Sequence, residues 1–168
     1  PRVIDTLNGG YYSDFSYDWK KEGPQQKFIV TQARHVWSLS FLYENYAQEE
    51  QYLRDAHHGF EFLKQKMWDS EFGGFFELTD STGTLSPDPV SKTKRAYGNS
   101  FAIYALAQYY KVSQNAEVLE LAKQTFMWLE NGAHDKVHGG YFQVLNQDGT
   151  PVLLSDSAQF SAYDKNSI

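Results

Sequence analysis

A chain of 168 residues, 41% of them hydrophobic, is long enough to bury a core as one domain, which sets disorder aside. Its net charge of -6 argues against a nucleic-acid duplex or an anionic membrane as partner, since both select for clustered Lys and Arg, and no apolar run approaches the roughly 20 residues of a spanning helix. Zero cysteines exclude disulfides and thiolate metal sites and suit a reducing compartment, so the cytoplasm is the expected location.

In chain order, the first distinctive phrase is NGGYY at 8–12, two glycines followed by two rings; it returns as FGGFF at 72–76 and HGGYF at 138–142. Between the first two copies, KFIVTQARHVWSLSFLYENY (27–46) reads as a helix covered on most sides. Leu53, Ala56, Phe60, Leu63 and Met67 then follow at three- and four-residue steps, the signature of an amphipathic helix with one wet face. After FGGFF, KRAYGNSFAIYALAQYYKVS (94–113) lines up with 27–46, placing Gln32 on Asn99, Trp37 on Tyr104, Leu39 on Leu106 and Tyr43 on Tyr110. Its centre is apolar nearly all round and predicts a buried helix. A second amphipathic helix is predicted over 116–130, with Val118, Ala122, Thr125 and Leu129 inward and Leu119 and Phe126 beside them. Beyond HGGYF, Asp148 and Gly149 form a hairpin turn signal. Asn166 and Ser167 repeat Asn99 and Ser100, so a third copy of the buried helix is beginning at the last residues.

One unit is thus a buried helix, a wet helix and a small hairpin. Repetition of that unit predicts an all-α fold, a double-layered helical toroid or an α-solenoid, with short β-hairpins between repeats. Closure of a toroid needs more units than these, so residues 1–168 are expected to be a piece of a larger protein or one half of something completed elsewhere, cut in the third repeat.

The phrases QARHVWSLSFLY (32–43), WDSEFGGFF (68–76), YGNSFAIYALAQYY (97–110), HDKVHGGYF (134–142) and DKNSI (164–168) resemble the N-acylglucosamine 2-epimerase superfamily in order and over nearly the whole chain. The resemblance implies an (α/α)6 barrel about twice this length or more, with residues 1–168 as the N-terminal part of that single domain. It implies epimerisation or aldose–ketose isomerisation of a mono- or disaccharide without any cofactor, and it allows a homodimer. In such chemistry one histidine removes the proton beside the carbonyl, a cis-enediolate forms, and a second histidine returns a proton. By the resemblance both catalytic histidines lie beyond residue 168, the first of them four residues past Asn166. Arg34 matches a substrate-contacting arginine and Tyr97 a pocket tyrosine. Asn166 matches the asparagine that precedes the first histidine.

Among neighbouring side chains, Trp37 is expected as a pocket wall and His35 as a structural histidine, because one helical step turns a side chain away from Arg34. Asn99 is a weaker candidate for substrate contact, with helix capping or helix-to-helix hydrogen bonding as its alternative. For Arg34 the alternative is an internal salt bridge to Glu44 or Glu77. The pair His134 and His138 lies in a loop without a convincing carboxylate constellation, so no metal site is expected there. His57 and His58 are placed on the wet side of their helix. Two other readings of the toroid stay open: a glycoside or unsaturated-uronyl hydrolase using paired acids, and a non-catalytic carbohydrate-binding protein.

Overall fold

The fold of residues 2–47, 49–153 and 165 is described from a computed structural model. Strand β1 (Lys27–Phe28) leads into α1 (Ile29–Leu42), which widens into a π turn over Tyr43–Ala47. Helix α2 (Glu50–Phe62) runs back and ends in a second π turn, Leu63–Met67. The next unit repeats this plan. After β2 (Leu78–Thr79) and a short 3-10 turn at Pro89–Lys92 come β3 (Lys94–Arg95) and α3 (Ala96–Ser113). Helix α4 (Ala116–Trp128) closes in a π turn at Leu129–Ala133, and β4 (Val144–Leu145) follows. Strand β2 pairs antiparallel with β1, and β4 with β3, so each hairpin is stitched to the strand that opens an inner helix.

Helices α1 and α3 pack side by side, with α2 against α1 and α4 against α3. This alternation of inner and outer helices is an arc of an (α/α) toroid, the class expected from the repeat. The switch from α3 to α4 is local chemistry. Gln114 takes left-handed backbone (φ 50°) past the end of α3, and the Asn115 Oδ1 accepts the Glu117 N–H at 2.9 Å to cap α4.

The predicted inward line of α2 is realised, with Ala56, Phe60, Leu63 and Met67 fully buried. Burying each of the three larger side chains is worth about 1.5–3 kcal/mol. Val118, Ala122, Thr125 and Leu129 of α4 are likewise buried. For α3 the expectation of cover on every side needs correction. Ala102, Ala105, Leu106 and Tyr109 are buried, yet Tyr104 is 49% exposed, because α1 and α4 cover only part of the helix.

The three glycine phrases form one loop three times over. Asp5, Asp69 and Asp135 each accept backbone N–H bonds from residues two and three positions on, and each exchanges two backbone bonds with its glycine pair. All six glycines of the pairs have positive φ, a region only glycine enters freely. The carboxylate of each Asp is also paired with a lysine. Lys27 Nζ lies 2.8 Å from Asp5 and Lys94 Nζ 2.7 Å from Asp69, with both lysine side chains fully buried, and Lys165 reaches Asp135 at 2.6 Å.

Candidate functional site

Arg34, Trp37, Ser38 and Phe41 recur at helical spacing on one face of α1, and Tyr97, Ser100, Phe101 and Tyr104 do the same on α3. Where those faces meet, Arg34, Trp37, Ser38, Ser100, Phe101 and Tyr104 line an open cavity of about 550 Å³. A column of rings runs past it, of which Phe101, Tyr104 and Trp37 line the cavity while Tyr97 and Phe41 extend the column at either end. Tyr97 meets Phe101 edge-on at 4.9 Å and Phe101 meets Tyr104 at 6.4 Å; Tyr104 then stacks on Trp37 at 5.1 Å, and Trp37 on Phe41 at 4.8 Å. Flat ring faces beside a cation make a surface that can stack the C–H face of a sugar and hold its oxygens.

Arg34 is exposed to this cavity rather than buried in a helix contact. Both carboxylates considered as its internal partners are engaged elsewhere: Glu44 pairs with Lys111 at 2.8 Å, and Glu77 Oε1 lies 3.6 Å from Arg95. Among the described residues no carboxylate forms an ion pair with Arg34. His35, one position on, turns inward against the Tyr11 ring, 4.7 Å between centroids. Burial, then the neighbouring Arg34 charge, hold its imidazole below the ordinary histidine range.

Asn99 follows the hydrogen-bonding alternative. Its side chain is fully buried, with Oδ1 accepting the Phe75 N–H at 2.7 Å and Nδ2 donating to the Phe75 and Arg95 carbonyls at 3.1 and 2.9 Å. Both amide hydrogens are used, and none of them faces the cavity. Gln32, its repeat partner, clamps Tyr11 in the same way at 2.8 and 2.9 Å. Each amide thus fastens the residue after a glycine pair to an inner helix. Asn166 lies outside the described residues.

Other histidines also find protein partners. His58, placed on the wet side by periodicity, instead approaches the Asp5 and Gly10 carbonyls at 3.1 Å and latches the first glycine loop. His57 Nδ1 meets the Tyr109 hydroxyl at 3.0 Å. In the third loop His134 faces Glu130 and His138 faces Asp135, so the two rings do not converge on one point.

A second depression, about 420 Å³, lies between α3, α4 and the third glycine loop, lined by Ala96, Ser100, Ile103, Phe126, Leu129 and Tyr141 among others. Its counterparts in the first unit are Ile29, Ala33, Val36, Phe60 and Leu63, all fully buried there. That match marks a seat for a packed helix rather than for a ligand, and the cavity beside Arg34 is the better candidate.

Sequence reasoning missed two features near this end of the helices. One is the pair of buried lysines, although Lys27 and Lys94 open the two aligned segments. The other is the setting of Glu77: it enters there only as a partner for Arg34, but with Arg95 it lines a cavity of about 630 Å³ under the loop 84–93. Burial pushes the Glu77 carboxyl above the ordinary range against the opposing pull of Arg95, and its Oε2 is buried without a hydrogen-bond partner among the described residues.

Fold and cavity together define an alternating-helix toroid protein with an aromatic, cation-bearing pocket between the facing sides of its inner helices. The chain belongs to the N-acylglucosamine 2-epimerase (GlcNAc 2-epimerase) family, whose model matches residues 10–118. It is similar to cellobiose 2-epimerase of Dictyoglomus turgidum, 33% identical over 155 residues that cover 90% of this chain and 38% of the relative. The solved cellobiose 2-epimerase of Spirochaeta thermophila is 34% identical with a TM-score of 0.81, covering 89% of this chain and 36% of that one. The chain therefore spans a little over a third of the length of these relatives. A D-mannose isomerase structure (24% identical, TM-score 0.79, 91% and 38% covered) shares the fold. So does a family 76 glycoside hydrolase (16%, 0.66, 86% and 28%).

Proposed function

We propose that this chain is the first part of a longer (α/α) toroid that epimerises or isomerises a mono- or disaccharide, and that the cavity beside Arg34 holds the sugar. The observation that carries the reading is Arg34 itself: a guanidinium left without an internal carboxylate, at the mouth of a ring-lined cavity, in a chain of this family. Trp37 and Tyr104 present the stacked wall, and Tyr97 supports it through Phe101. When a proton leaves the carbon beside a carbonyl, negative charge gathers on the adjacent oxygen. A positioned guanidinium stabilises that charge more than it stabilises the neutral sugar, which is the condition for lowering the barrier. The resemblance assigns both proton carriers to histidines beyond residue 168. Family membership favours this chemistry over hydrolysis, which is supported by fold likeness alone. The cysteine-free composition supports a cytoplasmic setting, and among the described residues no helix is long and apolar enough to cross a membrane.

The test is proton exchange at C2, followed by NMR in deuterated water with the full-length protein and cellobiose, glucose, mannose or an N-acetylhexosamine. Exchange is expected with at least one of them, and Arg34→Ala should lower kcat/KM about 100-fold or more. Absence of exchange with every sugar would overturn the reaction, and full activity in Arg34→Ala would overturn the site.

A further inference from the structure

The hairpin before β1 differs from its two copies at one backbone position. All three turns close with the same pair of bonds. Ser16 N–H donates to the Lys20 carbonyl and Trp19 N–H to that of Ser16, at 2.9 and 3.0 Å; Asp80 with Thr84 and Gly83 with Asp80 do the same at 2.9 and 3.1 Å, and Asn146 with Thr150 and Gly149 with Asn146 at 2.8 and 3.0 Å. The residue that must take left-handed backbone is Gly83 (φ 83°), Gly149 (φ 89°) and, in the first copy, Trp19 (φ 62°). A bulky side chain is strained there, and such strain persists where a site uses it.

Core packing does not account for the tryptophan. Trp19 is 59% exposed and Tyr17 fully so, with Trp19 leaning on Phe15 at 5.9 Å. The stem beneath is held firmly. Gln25 is buried and itself has positive φ (54°); its amide accepts the Ser13 and Asp14 N–H groups and donates to the Asp14 and Glu22 carbonyls. This hairpin leads directly into β1 and α1, at the end of the helix layer from which Tyr97 stands in the first turn of α3 and Arg34 in the second turn of α1.

We propose that Phe15, Tyr17 and Trp19 form a stacking platform for a second sugar ring, beyond the unit held beside Arg34. The proposal rests on the saccharide reading above. A seven-residue tip is far too small for a stable protein interface, which needs about 800 Å² from each partner. Flat rings edged by Asp14, Asp18, Lys20 and Glu22 offer instead an apolar face surrounded by hydrogen-bonding groups, the complement of a pyranose ring with its C–H face and hydroxyl rim.

Trp19→Gly in the full-length protein separates binding from folding, because it restores the residue found in both other copies. The thermal midpoint should hold or rise. Binding and turnover of cellobiose should weaken about three- to tenfold, the range of an aromatic stacking contact, with glucose unchanged and Trp19→Phe keeping most of the cellobiose affinity. Unchanged cellobiose binding, an equal loss for both sugars, or a changed oligomeric state with unaltered sugar binding would each overturn the platform while leaving the Arg34 site standing. A wild-type protein that binds a monosaccharide but not cellobiose would overturn the platform, and one that binds none of cellobiose, glucose, mannose and an N-acetylhexosamine would overturn both.

Discussion

Replacing Asn99 by Ala tests whether this residue holds the fold or the substrate. The Phe75 N–H and C=O have the Asn99 amide as their partner, since the bridge between Trp68 and Phe75 is closed by the bonds of residues 67, 69, 74 and 76. Alanine therefore leaves one buried donor and one buried acceptor unmade, at about 1–3 kcal/mol each. A loss of about 3 kcal/mol is a large share of the roughly 5–15 kcal/mol that stabilises a typical domain. In urea titrations of the full-length protein, with a slope of about 3 kcal/mol/M, the midpoint should fall by about 1 M with the slope unchanged. Asn99→Asp should be no better at pH 7, since a carboxylate would face the Phe75 and Arg95 carbonyls that now accept N–H bonds. Sugar affinity of the folded Asn99→Ala fraction should match wild type. A midpoint within about 0.2 M of wild type together with lost sugar binding would refute the clamp and return Asn99 to the pocket.

Two further predictions concern buried charge. Burial pushes the Asp5 carboxyl up, but hydrogen bonds from Lys27, the Asn8 N–H and Tyr12 outweigh it and hold the group at about 2. A depressed carboxylate stabilises the fold above its unfolded pKa and loses that contribution as pH falls towards its folded value. Lys27→Met should therefore cost about 3–5 kcal/mol at pH 7, and the difference from wild type should shrink as acid neutralises Asp5, read from thermal midpoints between pH 7 and 3. For Glu77 the sign reverses: burial raises its pKa, so the favourable neutral form is present below the unfolded value and lost as pH rises through the folded one. Glu77→Gln should raise the thermal midpoint at pH 7 and converge with wild type in acid, and a lower midpoint at pH 7 would show that the Arg95 contact dominates.

The repeat, the alternation of inner and outer helices and the placing of Trp37 beside Arg34 were legible in the residues alone. Those properties are periodic, and periodicity survives in one dimension. The rest was not legible there, because it depends on partners far along the chain. Lys94 reads as a surface residue until Asp69 is seen 2.7 Å from its ammonium. Asn99 reads as a helix-start asparagine in a pocket until the Phe75 backbone meets its amide. His58 sits on a polar stripe, yet the first glycine loop folds over that stripe and supplies two carbonyls. Nothing in the residues alone sets Trp19 apart from the other rings; its φ of 62° does, because a backbone angle is set by how a turn closes and leaves no mark on the residue's name.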